Sequence, residues 1–130
     1  LTTLIMIDVD SHYECRKYFR PTRRIVEIGL EKKSTKADDK QISFFTWLEE
    51  HYDKVISKII PPLEISISEW IPGYKVQNFE AEFELEYLFI PKCDEDVFDW
   101  EISFYAKNEL RHWCNIKMNG LEVKEILIDG

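Results

Sequence analysis

Between Asp38-Asp39 and Pro61-Pro62, the residues Ile42, Phe45, Leu48, Tyr52, Val55, Ile56 and Ile59 recur at spacings of three and four. That period puts them on one stripe of an α-helix over about residues 40 to 60. Asp38 and Asp39 can cap the start of this helix and complement its dipole. The two prolines lack the N–H that a helix interior needs, so they are expected to close it. A stripe of this length has to be buried against another layer, and most of the remaining chain reads as strands.

Leu4 to Val9 is apolar and β-branched, and Val26, Ile28 and Leu30 alternate with Glu27, Gly29 and Glu31. Lys32 to Lys40 is polar, has no period and reads as a loop. Leu63, Ile65 and Ile67 alternate with Glu64, Ser66 and Ser68, which reads as a short strand with a helical turn as the alternative. From Phe79 the alternation is strict. Phe79, Ala81, Phe83, Leu85 and Tyr87 face one way, and Glu80, Glu82, Glu84 and Glu86 the other, as in an amphipathic strand. Asn78 is a good helix cap and Glu and Ala are poor strand formers, so a short helix leading into a strand at Leu88-Phe89-Ile90 is the alternative. Trp100 to Ala106, Leu110 to Met118 and Leu121 to Ile128 are three further apolar runs. Asn119-Gly120 between the last two predicts a type I′ hairpin.

The expectation is an α+β fold in a single domain over 1–130: an antiparallel sheet of about five or six strands with one long helix packed on one face. The 45% hydrophobic fraction with only 4 Gly and 5 Pro in 130 residues supports a packed core rather than disorder. The longest apolar run, Leu4-Ile5-Met6-Ile7, is far short of the roughly 18 residues a membrane helix needs, and no membrane association is expected. No basic-then-apolar leader opens the sequence. Cys15, Cys93 and Cys114 form no CxxC pair, which fits reduced thiols and a cytoplasmic setting.

The net charge of −8 is unevenly spread. Residues 11–33 carry seven bases against three acids, and residues 34–130 carry ten bases against twenty acids. A field of that sign repels nucleic-acid phosphates and anionic lipid and favours basic partners. The stretch from His12 to Arg24 interleaves bases with aromatics as nucleic-acid sites do; its simpler reading is a solvated basic segment paired with the acids of its own domain.

The four glycines are too scattered for a phosphate-binding loop, and the nucleophile elbow, HExxH and EF-hand patterns are missing. His112-Trp113-Cys114 and His12-x-x-Cys15, with Cys93 spare, are the best zinc ligands on offer, yet neither pair has the tight spacing of a structural zinc site. Packing alone accounts for buried cysteines, so no metal and no cofactor are expected. Cys114 with His51 or His12 is the cysteine–base pairing that nucleophilic catalysis could use, and the alternative function is a small enzyme or ligand-binding domain with Cys114, His112 and an acidic neighbour in a pocket. Carboxylate pairs such as Asp8 with Asp10, or Asp94 with Asp96, carry no specificity among twenty-five acids. Trp47, Trp70, Trp100 and Trp113 lie in or beside apolar runs, which makes them core residues or interface anchors.

From Leu88 to Gly130 the chain shows a strand, a proline and an acidic loop (Ile90 to Asp96), an aromatic strand through Trp100, the His112 segment and a final hairpin. In this layout, together with the helix around Trp47-Leu48-Glu49-Glu50 and the acidic segment 79–86, it resembles small acidic bacterial domains. Such domains occur among immunity proteins of polymorphic-toxin and contact-dependent growth-inhibition systems. The resemblance implies a non-catalytic inhibitor that binds a cognate toxin, often a basic nuclease. No catalytic residue is expected. The residues expected to meet the toxin are the glutamates Glu80, Glu82, Glu84 and Glu86 and the acidic group Asp94, Glu95, Asp96 and Asp99.

Overall fold

A computed structural model describes residues 7–8, 12–32, 38–108 and 110–129. The elements run β1 (Ile7–Asp8), β2 (His12–Phe19), β3 (Arg24–Glu31), α1 (Asp39–Ser68), α2 (Phe79–Glu82), β4 (Phe83–Ile90), β5 (Asp99–Ala106), β6 (Trp113–Asn119) and β7 (Glu122–Asp129). The architecture is α+β: six strands of seven or eight residues, a two-residue β1 at the edge, and one long helix against one face. Of the segment Leu4 to Val9, only Ile7 and Asp8 lie within the described residues, as do only parts of the 32–40 loop.

The start of α1 is fixed twice over. Asp38 accepts from the Gln41 N–H at 3.0 Å while the Gln41 side chain accepts from the Asp38 N–H at 3.3 Å, a reciprocal capping box. Gln41 is buried, and its amide donates to the carbonyls of Glu31 (3.0 Å) and Pro91 (3.1 Å), so one side chain ties the helix start to the ends of β3 and β4. The stripe predicted from sequence is buried from its second member on: Phe45, Leu48, Tyr52, Val55, Ile56 and Ile59 all lie in the core, whereas Ile42 in the first turn is exposed. Each contributes about 2 kcal/mol of transfer free energy.

The helix does not stop at the prolines. It continues to Ser68, and the segment 63–67 expected as a strand is its last turns. Ile59, Leu63 and Ile67 are four apart and all fully buried, whereas Ile65 is 72% exposed. The core therefore follows the helical period through a segment whose alternation fits both. Pro61 and Pro62 withhold the N–H groups that would bond the carbonyls of Ser57 and Lys58, and both of those residues lie on the exposed side where water can serve instead. Backbone irregularity falls earlier, at His51 (φ −116°, ψ 16°), whose Nδ1 is 2.8 Å from the Trp47 carbonyl oxygen.

The sheet is ordered β1-β2-β3-β4-β5-β6-β7, and five of its six junctions are antiparallel. The exception is β3 beside β4, which run parallel with Glu27 opposite Tyr87 and Leu30 opposite Ile90. This departs from an all-antiparallel expectation because α1 lies between those two strands in sequence and carries the chain from one end of the sheet back to the other. Val26, Ile28 and Leu30 of β3, Leu88 and Ile90 of β4, Ile102 and Phe104 of β5 and Ile116 and Met118 of β6 are buried in one core with the helix stripe. Trp100 is buried there too and donates its indole N–H to the Gly120 carbonyl at 2.9 Å.

Two local expectations are corrected. Residues 79–86 are not one strand: Asn78 caps the four-residue α2, accepting from the Ala81 N–H at 3.3 Å, and β4 begins at Phe83. Phe79 and Phe83, four apart, stack at 4.8 Å, which favours the helical turn over alternation. The last hairpin forms, but its connecting residues are Gly120 and Leu121, since Asn119 already pairs with Glu122. Only Gly120 takes a positive φ (57°), whereas a type I′ turn requires two.

Candidate functional site on the open face of the sheet

α1 covers one face of the sheet, so every second strand residue points to the other. On β2 and β3 this open face carries Tyr18 opposite Ile25, Arg16 opposite Glu27 and Glu14 opposite Gly29. Across β4 to β7 it continues through Tyr87, Ser103, Asn115 and Leu127 in one row and Phe89, Glu101, Lys117 and Glu125 in the next. Tyr105 and Trp113 face each other beside these rows with ring centroids 5.2 Å apart. A solvated sheet face is normally polar. Here it exposes four large apolar side chains, Tyr18 (45%), Ile25 (60%), Trp113 (43%) and Leu127 (47%).

Glycine and a bulge shape the centre of the face. Tyr87 lies across Gly29, where a Cβ would fall inside the Tyr87 hydroxyl and 3.0 Å from its Cζ. A register shift between Leu85 and Tyr87 inserts Glu86 as an extra residue in β4. Ser103 is buried on this face and donates to Asn115 Oδ1 at 2.8 Å. His12 packs its ring edge-on against Phe89 at 6.0 Å.

The charges around these rings are mostly carboxylates. Arg16 pairs with Glu27 at 3.1 Å, Arg24 with Glu84 at 2.6 Å and Lys117 with Glu125 at 3.6 Å, so the nearby cations are engaged by the face's own acids. Glu86 and Glu84 hydrogen-bond to one another. Burial, then the bond and the charge of Glu84, push the Glu86 carboxyl up to about 7. Glu84 moves the other way, held down by the Glu86 hydrogen bond and by Arg24 against the effect of burial. The Tyr87 phenol is pushed up to about 12 by burial and by the carboxylates of Glu14, Glu101 and Glu27. Three carboxylates thus lie near enough to disfavour ionisation of one tyrosine.

No family model, curated protein or solved structure matches this chain.

The eight acids singled out from sequence are divided among four places. Glu84 and Glu86 border the open face. Glu80 and Glu82 are on α2, and Glu82 is turned inward: it accepts from the N–H groups of Gln77 and Asn78 at 2.7 Å and from the Tyr74 hydroxyl. Burial opposes ionisation of Glu82, but the Asn78, Tyr74 and Gln77 donors hold its carboxyl below the usual range. Asp94, Glu95 and Asp96 lie in the loop after β4, beside the start of α1. Asp99 opens β5 and is bound by Lys124 and Asn119, each at 2.8 Å, which lower its carboxyl. The alternation of 79–86 therefore does not build a single glutamate face, because α2 and the bulge interrupt it.

Sequence reading missed Tyr18, Ile25, Trp113 and Leu127 as members of one surface. Their signal was present in the parity of each strand: each adjoins a residue of the opposite parity that is buried or packs against the core, Phe19, Val26, Cys114 and Ile126 with Ile128 respectively. The basic stretch 12–24 is β2 with its turn, and three of its four arginines are bound within the domain, Arg16 to Glu27, Arg24 to Glu84 and Arg20 to Glu49, the last at 3.5 Å. Lys17 lies 4.1 Å over the Phe45 ring on the helix side.

Of the histidines considered with Cys114, the His12 Nε2 lies 3.1 Å from Glu14 Oε1 and the His51 Nδ1 lies 2.8 Å from the Trp47 carbonyl oxygen. Cys114 is fully buried and burial pushes its thiol up to about 12, so it is protonated at neutral pH. Beside it in sequence, His112 packs edge-on to Trp70 at 5.2 Å, with its Nδ1 buried and unbonded. Among the described residues no three His, Cys, Asp or Glu side chains gather where a metal could be held. Among the same residues, no helix is long and apolar enough to cross a membrane.

Proposed function

We propose that this chain is a non-catalytic protein-binding inhibitor of the bacterial immunity type, and that the open face of the sheet meets a basic toxin domain. The observation that carries the reading is the set of exposed aromatic and aliphatic side chains, Tyr18, Ile25, Trp113 and Leu127, on a sheet face bordered by Glu14, Glu27, Glu84, Glu86, Glu101 and Glu125. Apolar anchors inside a charged border are how protein interfaces divide labour: the anchors lose water and hold the complex, while the border sets partner and encounter rate. The net charge of −8 gives such a face long-range attraction for a basic nuclease surface and repels nucleic acid itself.

The three buried cysteines, none of them in a disulfide, go with a reducing, cytoplasmic setting, where an inhibitor of an intracellular toxin would act. Co-expression with the toxin encoded beside it is the deciding experiment. Protection of the cells, with a one-to-one complex that weakens steeply when Trp113 and Leu127 are both changed to alanine, is the expected result. Growth arrest despite abundant folded protein would overturn the proposal.

A further inference from the structure

A second opening lies on the helix side of the molecule, between the N-terminal half of α1 and the loop joining β4 to β5. It is a cleft of about 730 Å³ with Phe44 and Trp47 on one wall and Val97 and Phe98 on the other. The walls are braced from behind. Phe44 stacks on Trp47 at 5.7 Å and meets Phe98 and Trp100 edge-on at 5.1 and 5.2 Å, while Trp47 is backed by His51 at 4.9 Å. A surface fixed by so many ring contacts is preformed and costs little further ordering on binding. Val97 is left exposed although its neighbours Phe98 and Trp100 are drawn toward the core.

The mouth of the cleft is acidic. Among the described residues, Asp39, Asp94, Glu95 and Asp96 line it against one cation, Lys40, whose ammonium is drawn to Asp94 at 3.8 Å. Glu95 and Asp96 make no hydrogen bond or ion pair among the described residues. An apolar wall with an acidic mouth matches one kind of group: a long aliphatic stem ending in a cation. A purely apolar side chain would leave the carboxylates unused. An anion would be repelled by them, and a bare metal ion would leave the aromatic wall in water.

We infer that this cleft receives an arginine or lysine side chain from a partner polypeptide. The stem lies along Phe44, Val97 and Phe98, and the charged head reaches Glu95 and Asp96. This site is separate from the open face of the sheet and does not depend on the inhibitor role.

The test is an NMR titration of the whole chain with capped pentapeptides Gly-Gly-X-Gly-Gly, where X is arginine, lysine or norleucine, with calcium chloride as a fourth probe. The arginine and lysine peptides should give saturable shifts at the Trp47 indole and at the amides of residues 39–47 and 93–98. The norleucine peptide should bind about tenfold more weakly, since it keeps the stem and loses the charge. The double substitution Glu95→Gln with Asp96→Asn lies on exposed residues, so the melting temperature should stay the same while the arginine shifts weaken by a similar factor. The inference is overturned if norleucine binds as well as arginine, if the shifts fall on the Trp113 indole instead, if no probe saturates, or if calcium displaces the arginine peptide. Because the Trp113 and Leu127 variants leave the cleft intact, failure here and failure of the toxin-binding face are separately visible.

Discussion

Tyr87 occupies the space that a side chain on Gly29 would need: a Cβ there would overlap the tyrosine hydroxyl and lie 3.0 Å from Cζ and 3.2 Å from Phe89 Cδ1. The two residues stand on adjacent parallel strands, so the small residue on β3 is what lets the ring of β4 lie flat across the open face. Gly29→Ala should therefore displace Tyr87 and cost about 1–3 kcal/mol, the usual penalty of overpacking. Combining it with Tyr87→Phe, which removes the overlapping oxygen, should recover part of that loss. Denaturant unfolding of the two single variants and the double gives the coupling energy; strict additivity would show that the contact is not the cause.

Gln41 takes part in four hydrogen bonds at 3.0 to 3.3 Å: two form the capping box with Asp38, and two hold the start of the helix to the ends of β3 and β4. Gln41→Ala should lower stability by about 2–4 kcal/mol, because the carbonyls of Glu31 and Pro91 lose their donor in a buried place and the capping box is undone. Amide hydrogen exchange should report the loss first in the opening turns of α1. A change within about 0.5 kcal/mol would mean that water replaces the side chain there.

Glu86 gives the fold a pH dependence. Its carboxyl rises from the ordinary 4.5 to about 7 on folding, so the folded state favours its protonated form. Stability from this group is whole below pH 4.5, falls as the pH rises, and is fully lost above about 7. Glu86→Gln keeps the hydrogen bond to Glu84 without the titration, and should flatten the stability profile between those limits. Melting temperatures across that range check it; an unchanged slope in the variant would assign the dependence to another group.

Trp113 and Leu127 are exposed, so their replacement by alanine should change the unfolding free energy by no more than about 0.5 kcal/mol each. Loss of a binding anchor costs more, about 2 kcal/mol or roughly thirtyfold in affinity. Calorimetry with a purified toxin of the proposed kind would measure the affinity, and circular dichroism the stability. An equal fall in stability and affinity would move these residues from the interface to the fold.

The helix stripe from Phe45 to Ile59 and the three C-terminal strands were legible in the sequence because backbone geometry sets their periods, and a run of apolar residues at one period can be buried in only one way. The end of the helix was not legible. Leu63, Ile65 and Ile67 satisfy alternation and, through Ile59, also satisfy four-residue spacing, and only the position of the core decides that Ile65 faces water. In the same way, α2 and the bulge at Glu86 break an alternation that is unbroken on paper, since packing of Phe79 on Phe83 and Tyr87 over Gly29 outweighs local preference. Strand parity was written in residues 12–31 and 113–128, but which parity is covered depends on where the single helix crosses the sheet. Sequence periodicity thus determined the helix stripe and the C-terminal strands with their apolar faces. The tertiary structure decided which face remains open, because that follows from contacts between residues far apart in the chain.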